Sequence, residues 1–587
     1  MDTVGPIAGD LANLTPSSES FTGEEERSLA PYFTNAHRSV VALRNLPEAT
    51  KGALFSRYSR SAKGVRRLFL DEFLGQAGAV QPGAGHTGEA ESTLQKAAAF
   101  YERVLSDYGD DSVGELGGAH IAYQEISQIA AKAVEDSRIG ASYLEKSTRY
   151  VRFDDKVNGL YRYYRDRRIM ASPQVASFVA GMDALFDAYT ASFPLMTEYL
   201  QAQHPLADTV FENALTGESV RFEDIQDEEF KKSALFAYNQ AVRARACDSL
   251  RCFLPLASLT NVGVYANGRT HEYMLTKMYA DPLEEIQTLA FAANHELDQV
   301  IGPFIKRANN ERGQAHQEYL RQRREAQRQW ASAIAPRRDL VSLAGGPQAW
   351  LPPAQERPPK VTLLRYDHDA LDSVVAAILF PYAEGSEADL LQQVTALPAE
   401  QRERIIADYL GQRSNRRHGP GRAFERANYT FELCLNIGEY RDLQRHRICS
   451  PQRQQFTTAL GYDTNPDVAA VPQIQALYDM AMGCGRMLDL LIAPHLPAQA
   501  QYAVPMGYRV RYSVQMSLRE VYYLAELRSG EQGHRDYRRT AQDIYRAIAA
   551  VHPVLARGMS FINLTPDVPM ARLRAEMRSA RKRMSLA

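Results

Sequence analysis

A chain of 587 residues exceeds what one hydrophobic core ordinarily organises, and length alone suggests more than two domains. Lys and Arg number 68 against 70 Asp and Glu, which leaves no global field to hold a nucleic-acid backbone, and no apolar run approaches the length of a membrane span. Five scattered cysteines, Cys247, Cys252, Cys434, Cys449 and Cys484, form no CxxC pair, which fits a reducing compartment and argues against a zinc site. The N-terminus has no basic region followed by an apolar core, so no secretory signal is read and a cytoplasmic location is expected.

Residues 1–25 are polar, with Pro and Ser, and read as a flexible tail. Gly83-Ala-Gly85-His-Thr-Gly88 satisfies G-x-G-x-x-G, yet Pro82 precedes it and no β-branched strand leads in, so it reads as a surface loop. Glu91 to Leu105 has the period of an amphipathic helix, with Ser92 and Gln95 spaced as a capping box. Gly118 to Tyr150 follows, closing on Glu145-Lys-Ser147-Thr-Arg149-Tyr150. Helical stretches are expected near 178–201 and 227–246, and another from Asp281 onward; between them Leu254-Pro255 leads to Asn267-Gly-Arg269. Residues 307–330, dense in Arg and Gln with little apolar periodicity, read as a solvated helix rather than an RNA-binding arm. Four prolines after Pro347 can sustain neither helix nor central strand, which sets a linker at 336–360 between segments 26–335 and 361–587.

In the second segment an alternating apolar run from Asn428 leads to Arg445-His446-Arg447-Ile448-Cys449-Ser450. Three adjacent cationic or cationisable side chains after such a run form an anion-binding signature. Laid on the stretch from Arg426, the earlier segment from Gly118 places Ser142 on Ser450 and Ser147 on Gln455, which suggests that the chain is repeated. A helix near 472–493, a strand at Tyr508 to Ser513, a helix at Val521 to Leu527 and a last amphipathic helix from Gln532 to Val554 complete the pattern. The tail from Ala571, with Arg572, Arg574, Arg578, Arg581, Lys582 and Arg583, reads as a solubilising face rather than a polyanion contact.

These blocks resemble the flavin-dependent thymidylate synthases, whose signature is Arg-His-Arg, seven residues, then Ser-x-Arg. The second segment keeps Arg445, His446 and Arg447 but has Gln455 and Thr457 where that family has Ser and Arg. The first keeps Glu145, Ser147, Arg149 and Tyr150 but reads Ser137, Arg138 and Ile139 at the Arg-His-Arg positions. Asn267 and Arg269 match a later Asn-x-Arg; in the second copy Ser517 replaces the Asn, Arg519 keeps the Arg, and Arg528 keeps a further Arg that falls on Met278 in the first. Arg426 stands at the place of a family His near the flavin.

The resemblance implies a helix-rich α+β fold in two tandem copies, each with a small antiparallel sheet flanked by helices. It implies FAD as cofactor and reductive methylation of dUMP to dTMP, with methylenetetrahydrofolate as carbon donor, NADPH as reductant and no cysteine nucleophile. Arginine forks and a serine hydroxyl suit a phosphate, so Glu145, Ser147, Arg149 and Arg528 are assigned to the substrate, with Arg528 also catalytic against a uracil carbonyl. Arg445, His446, Arg447, Asn267, Arg269 and Arg519 are assigned to the flavin. Because sites in that family lie between subunits of a homotetramer, one chain is expected to act as a fused dimer, two chains building a pseudo-tetramer with about half its sites intact. Two alternatives stand beside this reading: flavin-dependent modification of another pyrimidine nucleotide, for which Arg426 and Ser517 argue, and a non-catalytic flavin- or nucleotide-binding homologue.

Overall fold

The computed structural model describes residues 19–59, 61–74, 114–137, 139–212, 219–335, 358–565, 567–568, 570–573 and 575–577. The glycine loop at 83–88, the helix expected at 91–105 and nearly all of the linker lie outside the described residues. Contact density divides the chain into two units. One comprises Met1–Gln124, Ala133–Leu144 and Val262–Arg337; the other comprises Glu125–Lys132, Glu145–Asn261 and Arg338–Ala587.

In the first unit the helix Gly23–Leu29 begins inside the stretch read as tail. Thr22 explains it: its hydroxyl accepts from the Glu25 amide while the Glu25 carboxylate accepts from the Thr22 amide, a reciprocal cap. Strands β1 (Gly118–Ser127), β2 (Ala141–Glu145) and β3 (Leu259–Asn267), mostly in this unit, form a three-stranded sheet in the order β1-β3-β2. Asn267 ends β3 and caps the helix Gly268–Tyr279, its side-chain oxygen accepting from the Thr270 amide at 2.9 Å. The helix Glu311–Ile334 buries only Gly313 and Gln317, in keeping with the solvated helix expected there.

The second unit is built on a four-stranded antiparallel sheet of β4 (Val361–Tyr366), β5 (Asn428–Asn436), β6 (Cys449–Arg453) and β7 (Arg509–Ser517), in the order β6-β7-β5-β4. Along β7, Val510, Tyr512, Val514 and Met516 are buried on alternate positions, the period that one apolar face requires. The plan repeats that of the first sheet: a central strand hands directly into a helix, and its last residue, here Ser517, caps Leu518–Arg528 by accepting from the Glu520 amide. Strand β6 covers the residues that the repeat alignment lays on β2, Ser450 on Ser142.

Two short segments of this unit meet as reciprocal partners. The Leu256 amide donates to the Val504 carbonyl at 3.0 Å and the Met506 amide to the Leu254 carbonyl at 2.9 Å, so Pro255 and Pro505 face each other across a local pseudo-twofold axis. The long helices Val175–Gln203 and Pro472–Ile492 pack together. Their approach is set by Gly181: a Cβ there would lie 2.8 Å from Leu488.

The C-terminal segment departs from expectation. Arg572, read as part of a solubilising face, is 8% exposed and pairs with Asp248. A carboxylate already inside the second unit draws it in.

Candidate functional site

Strand β2 ends at Glu145, and the chain then turns through Ser147 to Tyr150, with the Ser147 hydroxyl accepting from the Arg149 amide at 3.2 Å and the Ser147 carbonyl from the Tyr150 and Val151 amides. The helix Ile437–Leu443 follows β5, capped by the Asn436 side chain accepting from the Glu439 amide. It carries Arg441 and Asp442, and Arg445 stands just beyond it. Arg251 follows the helix Glu228–Leu250, and Arg528 closes the helix Leu518–Arg528. Ser147, Thr148, Arg149, Tyr150, Arg251, Arg441, Asp442, Arg445 and Arg528 line a cleft of about 290 Å³. Five arginines face one carboxylate.

The floor is a buried charge hub. Glu145, with a wholly buried side chain, pairs with Lys132 at 3.2 Å, Arg445 at 2.9 Å and Arg441. Burial alone would raise its pKa, but the three cations outweigh burial and hold it well below the carboxylate range. Arg149 forks onto Asp248 at 2.7 and 3.0 Å and donates to the Tyr537 hydroxyl at 2.9 Å; burial opposes its charge, and Asp248 more than restores it.

Arg251 is held differently. Its Nη1 donates to Asp442 at 3.0 Å, while its Nε and Nη2 are buried without a hydrogen-bond partner. Burial again opposes the charge and Asp442 sustains it, while Asp442, buried in turn, is kept ionised by Arg251 and Arg149. Unsatisfied donors of a buried guanidinium cost folding energy.

Of the residues assigned to a substrate, Ser147, Arg149 and Arg528 line the cleft, and Glu145 lies beneath it, engaged with its three cations rather than open to a sugar. Of those assigned to flavin, only Arg445 lines it. His446 is 3% exposed, its Nδ1 against Glu520 at 2.8 Å and its Nε2 accepting from Arg528 at 3.0 Å; burial lowers its pKa, so it is neutral. It therefore orients Arg528. Arg447 is exposed, and Arg519 pairs with Glu425 at 2.6 Å. Asn267 and Arg269 belong to the first unit, where one caps a helix and the other pairs with Glu115 at 2.7 Å. Arg426 pairs with Glu387.

Arg251, Arg441 and Asp442 were missed by sequence reasoning. Arg441 and Arg445, four apart and near a helix end, gave a spacing signal. Arg251 gave none beyond standing three residues before Leu254-Pro255. The facing of Pro255 with Pro505 sets Gln501 opposite Arg251 in the repeat, and there its side chain accepts from the Phe456 amide and donates to the Ala498 carbonyl. The counterpart of the cationic wall is satisfied by backbone.

A duplicated α+β unit carrying an arginine-lined cleft defines a tandem protein with a cationic pocket. The chain belongs to the thymidylate synthase complementing protein family, whose model matches residues 71–301 and again 362–554. It is 37% identical over 561 residues to a UPF0159 protein of Chlamydia muridarum, covering 95% of this chain and 98% of the relative. A UPF0159 protein of Chlamydia pneumoniae is 36% identical over 562 residues, covering 95% and 98%. One of Thermoplasma acidophilum is 33% identical over 533 residues, covering 90% and 98%. The tandem arrangement is thus shared with relatives in two chlamydiae and an archaeon.

The donor set of the cleft fits an anion such as a phosphate. Toward a flavin the second unit offers Arg445 at the cleft and exposed Arg447, whereas His446 has both ring nitrogens engaged and Arg519 pairs with Glu425.

Proposed function

We propose that the chain is a thymidylate synthase-like enzyme that binds a pyrimidine mononucleotide such as dUMP in the arginine-lined cleft and converts it to dTMP. The gathering of Arg149, Arg251, Arg441, Arg445 and Arg528 around the single carboxylate of Asp442 carries this reading, because a dianionic phosphate is a group that balances such a set. Arg251 and Ser147 hold the phosphate, Glu145 fixes Arg441 and Arg445 from below, and neutral His446 aims Arg528 at the ring carbonyl, where negative charge develops during attack on the pyrimidine. FAD, NADPH and methylenetetrahydrofolate are the remaining participants that family membership suggests. Two chains assembling into a pseudo-tetramer would bring one such cleft from each.

Titration calorimetry tests the nucleotide reading: dUMP binds the wild-type chain and binds Arg251→Ala roughly 10- to 150-fold more weakly, whereas equal affinity for both sinks it. The visible spectrum of gently purified protein tests FAD, light scattering tests the dimer, and rescue of a thymidine auxotroph tests the whole reaction. A second reading, action on another pyrimidine nucleotide or ligand binding without catalysis, is supported by the sequestration of His446 and the Arg426–Glu387 pair. Binding of dUMP without rescue of the auxotroph selects it.

A further inference from the structure

The family match ends at residue 554, yet the chain beyond it is tied closely to the second unit. The Phe561 amide donates to Glu526, the Asn563 amide to Ser529 at 3.0 Å, and Gln542 to the Asn563 and Thr565 carbonyls at 2.9 and 3.1 Å. Asp567 then pairs with Arg245 at 2.8 Å. Five residues later Arg572 packs onto the ring of Tyr150, a residue that lines the cleft. Its guanidinium carbon lies 4.8 Å from the centre of the Tyr150 ring, its Nη2 3.0 Å from Asp248, and its Nε donates to the Gln532 carbonyl at 3.4 Å. Arg149 uses the same two acceptors, Asp248 and the Gln532 carbonyl.

We infer that Arg572, from a segment outside the family match, is a positioning residue of the cleft that holds the Tyr150 ring as a stacking platform for the planar ring of a nucleotide. This rests on the nucleotide reading of the cleft. A guanidinium on one face of a tyrosine fixes the ring's plane and leaves the other face to receive an aromatic base. Arg149 is already forked onto Asp248, so the backbone turn is held without Arg572, and the ring is what Arg572 adds. A structural tether would act on all ligands alike; a ring-positioning residue acts on the base alone.

The test uses the full-length chain, wild type and Arg572→Ala, titrated with dUMP and with 2-deoxyribose 5-phosphate, which has the phosphate and sugar but no base. Arg572→Ala is expected to weaken dUMP about five-fold and to leave deoxyribose 5-phosphate unchanged. Arg572→Lys is expected to recover most of the loss, because it retains the cation. In Tyr150→Ala, the further change Arg572→Ala is expected to cost nothing more. Equal weakening of both ligands, or of neither, overturns the inference. Wild-type protein that binds neither ester overturns the nucleotide reading and the inference with it, an outcome distinct from a failure of Arg572 alone.

Discussion

Arg251 and Asp442, 191 residues apart in the sequence, meet at 3.0 Å inside one cleft. The carboxylate takes one donor of the guanidinium, and its Nε and Nη2 stay buried without a hydrogen-bond partner. Asp442→Asn removes the charge that sustains Arg251, leaving a buried cation uncompensated, and should cost about 3 kcal/mol without ligand. Added phosphate should recover part of that loss, since it supplies the missing charge. Thermal unfolding with and without phosphate reads both effects, and a variant as stable as wild type in phosphate-free buffer would contradict the pairing.

Arg251→Ala should weaken binding of a nucleotide phosphate by roughly 10- to 150-fold, the range of one charge-assisted hydrogen bond of about 1.5–3 kcal/mol. Arg251→Lys should recover little, because a point charge does not span the fork.

Glu145→Gln should destabilise the chain by about 3–5 kcal/mol, because three cations lose their common buried partner. Urea unfolding measures it. A change below about 1 kcal/mol would show that the hub does not hold the floor of the cleft.

Gly438 stands in the helix that carries Asp442, and a Cβ there would lie 3.1 Å from Arg251 Nε. Gly438→Ala should therefore shift the guanidinium and weaken phosphate binding more than it lowers the melting temperature. Alanine otherwise favours a helix over glycine. Unchanged affinity would show that the guanidinium yields freely.

Acid should destabilise the protein through His534. Its Nδ1 accepts from the Asp536 amide at 3.2 Å, its Nε2 faces the Asp248 carbonyl, and burial first, then Arg251, lower its pKa from 6.5 to about 4. The folded pKa lies below the unfolded one, so the unfolded chain takes up the proton first. The contribution is complete above about pH 6.5 and is lost as pH falls toward about 4, in all roughly 3 kcal/mol. His534→Asn keeps a helix-capping side chain without the titration, so its urea midpoint should fall less between pH 7 and pH 5 than that of wild type. Parallel declines would remove His534 from the account.

Much of the fold was legible because it rests on local signals. The alternation in the run from Asn428, the 3.6-residue period of Pro472–Ile492 and the repeat that lays Ser142 on Ser450 all answer to strands and helices. Strand β7 runs on to Ser517 where alternation suggested an end at Ser513, because pairing with β5 continues to Asn428. The site was legible in part. Ser147, Arg149, Arg445 and Arg528 could be named from motifs, but which donors remain open depends on tertiary partners. Asp248 takes up Arg149, Glu520 takes up His446, and Asp442 leaves Arg251 half used. No spacing encodes those pairings, since each partner comes from a distant part of the chain.

The reciprocal hydrogen bonds around Pro255 and Pro505 join what a symmetric dimer would assemble from two identical polypeptides. Identical subunits inherit every substitution twice, so neither can lose a side chain that the other must keep. Once both stand in one reading frame, each is free to drift: Thr457 stands where the first copy has Arg149, and Gln501 settles onto backbone where Arg251 lines a cleft. Covalent fusion turns an enforced equality into a division of labour.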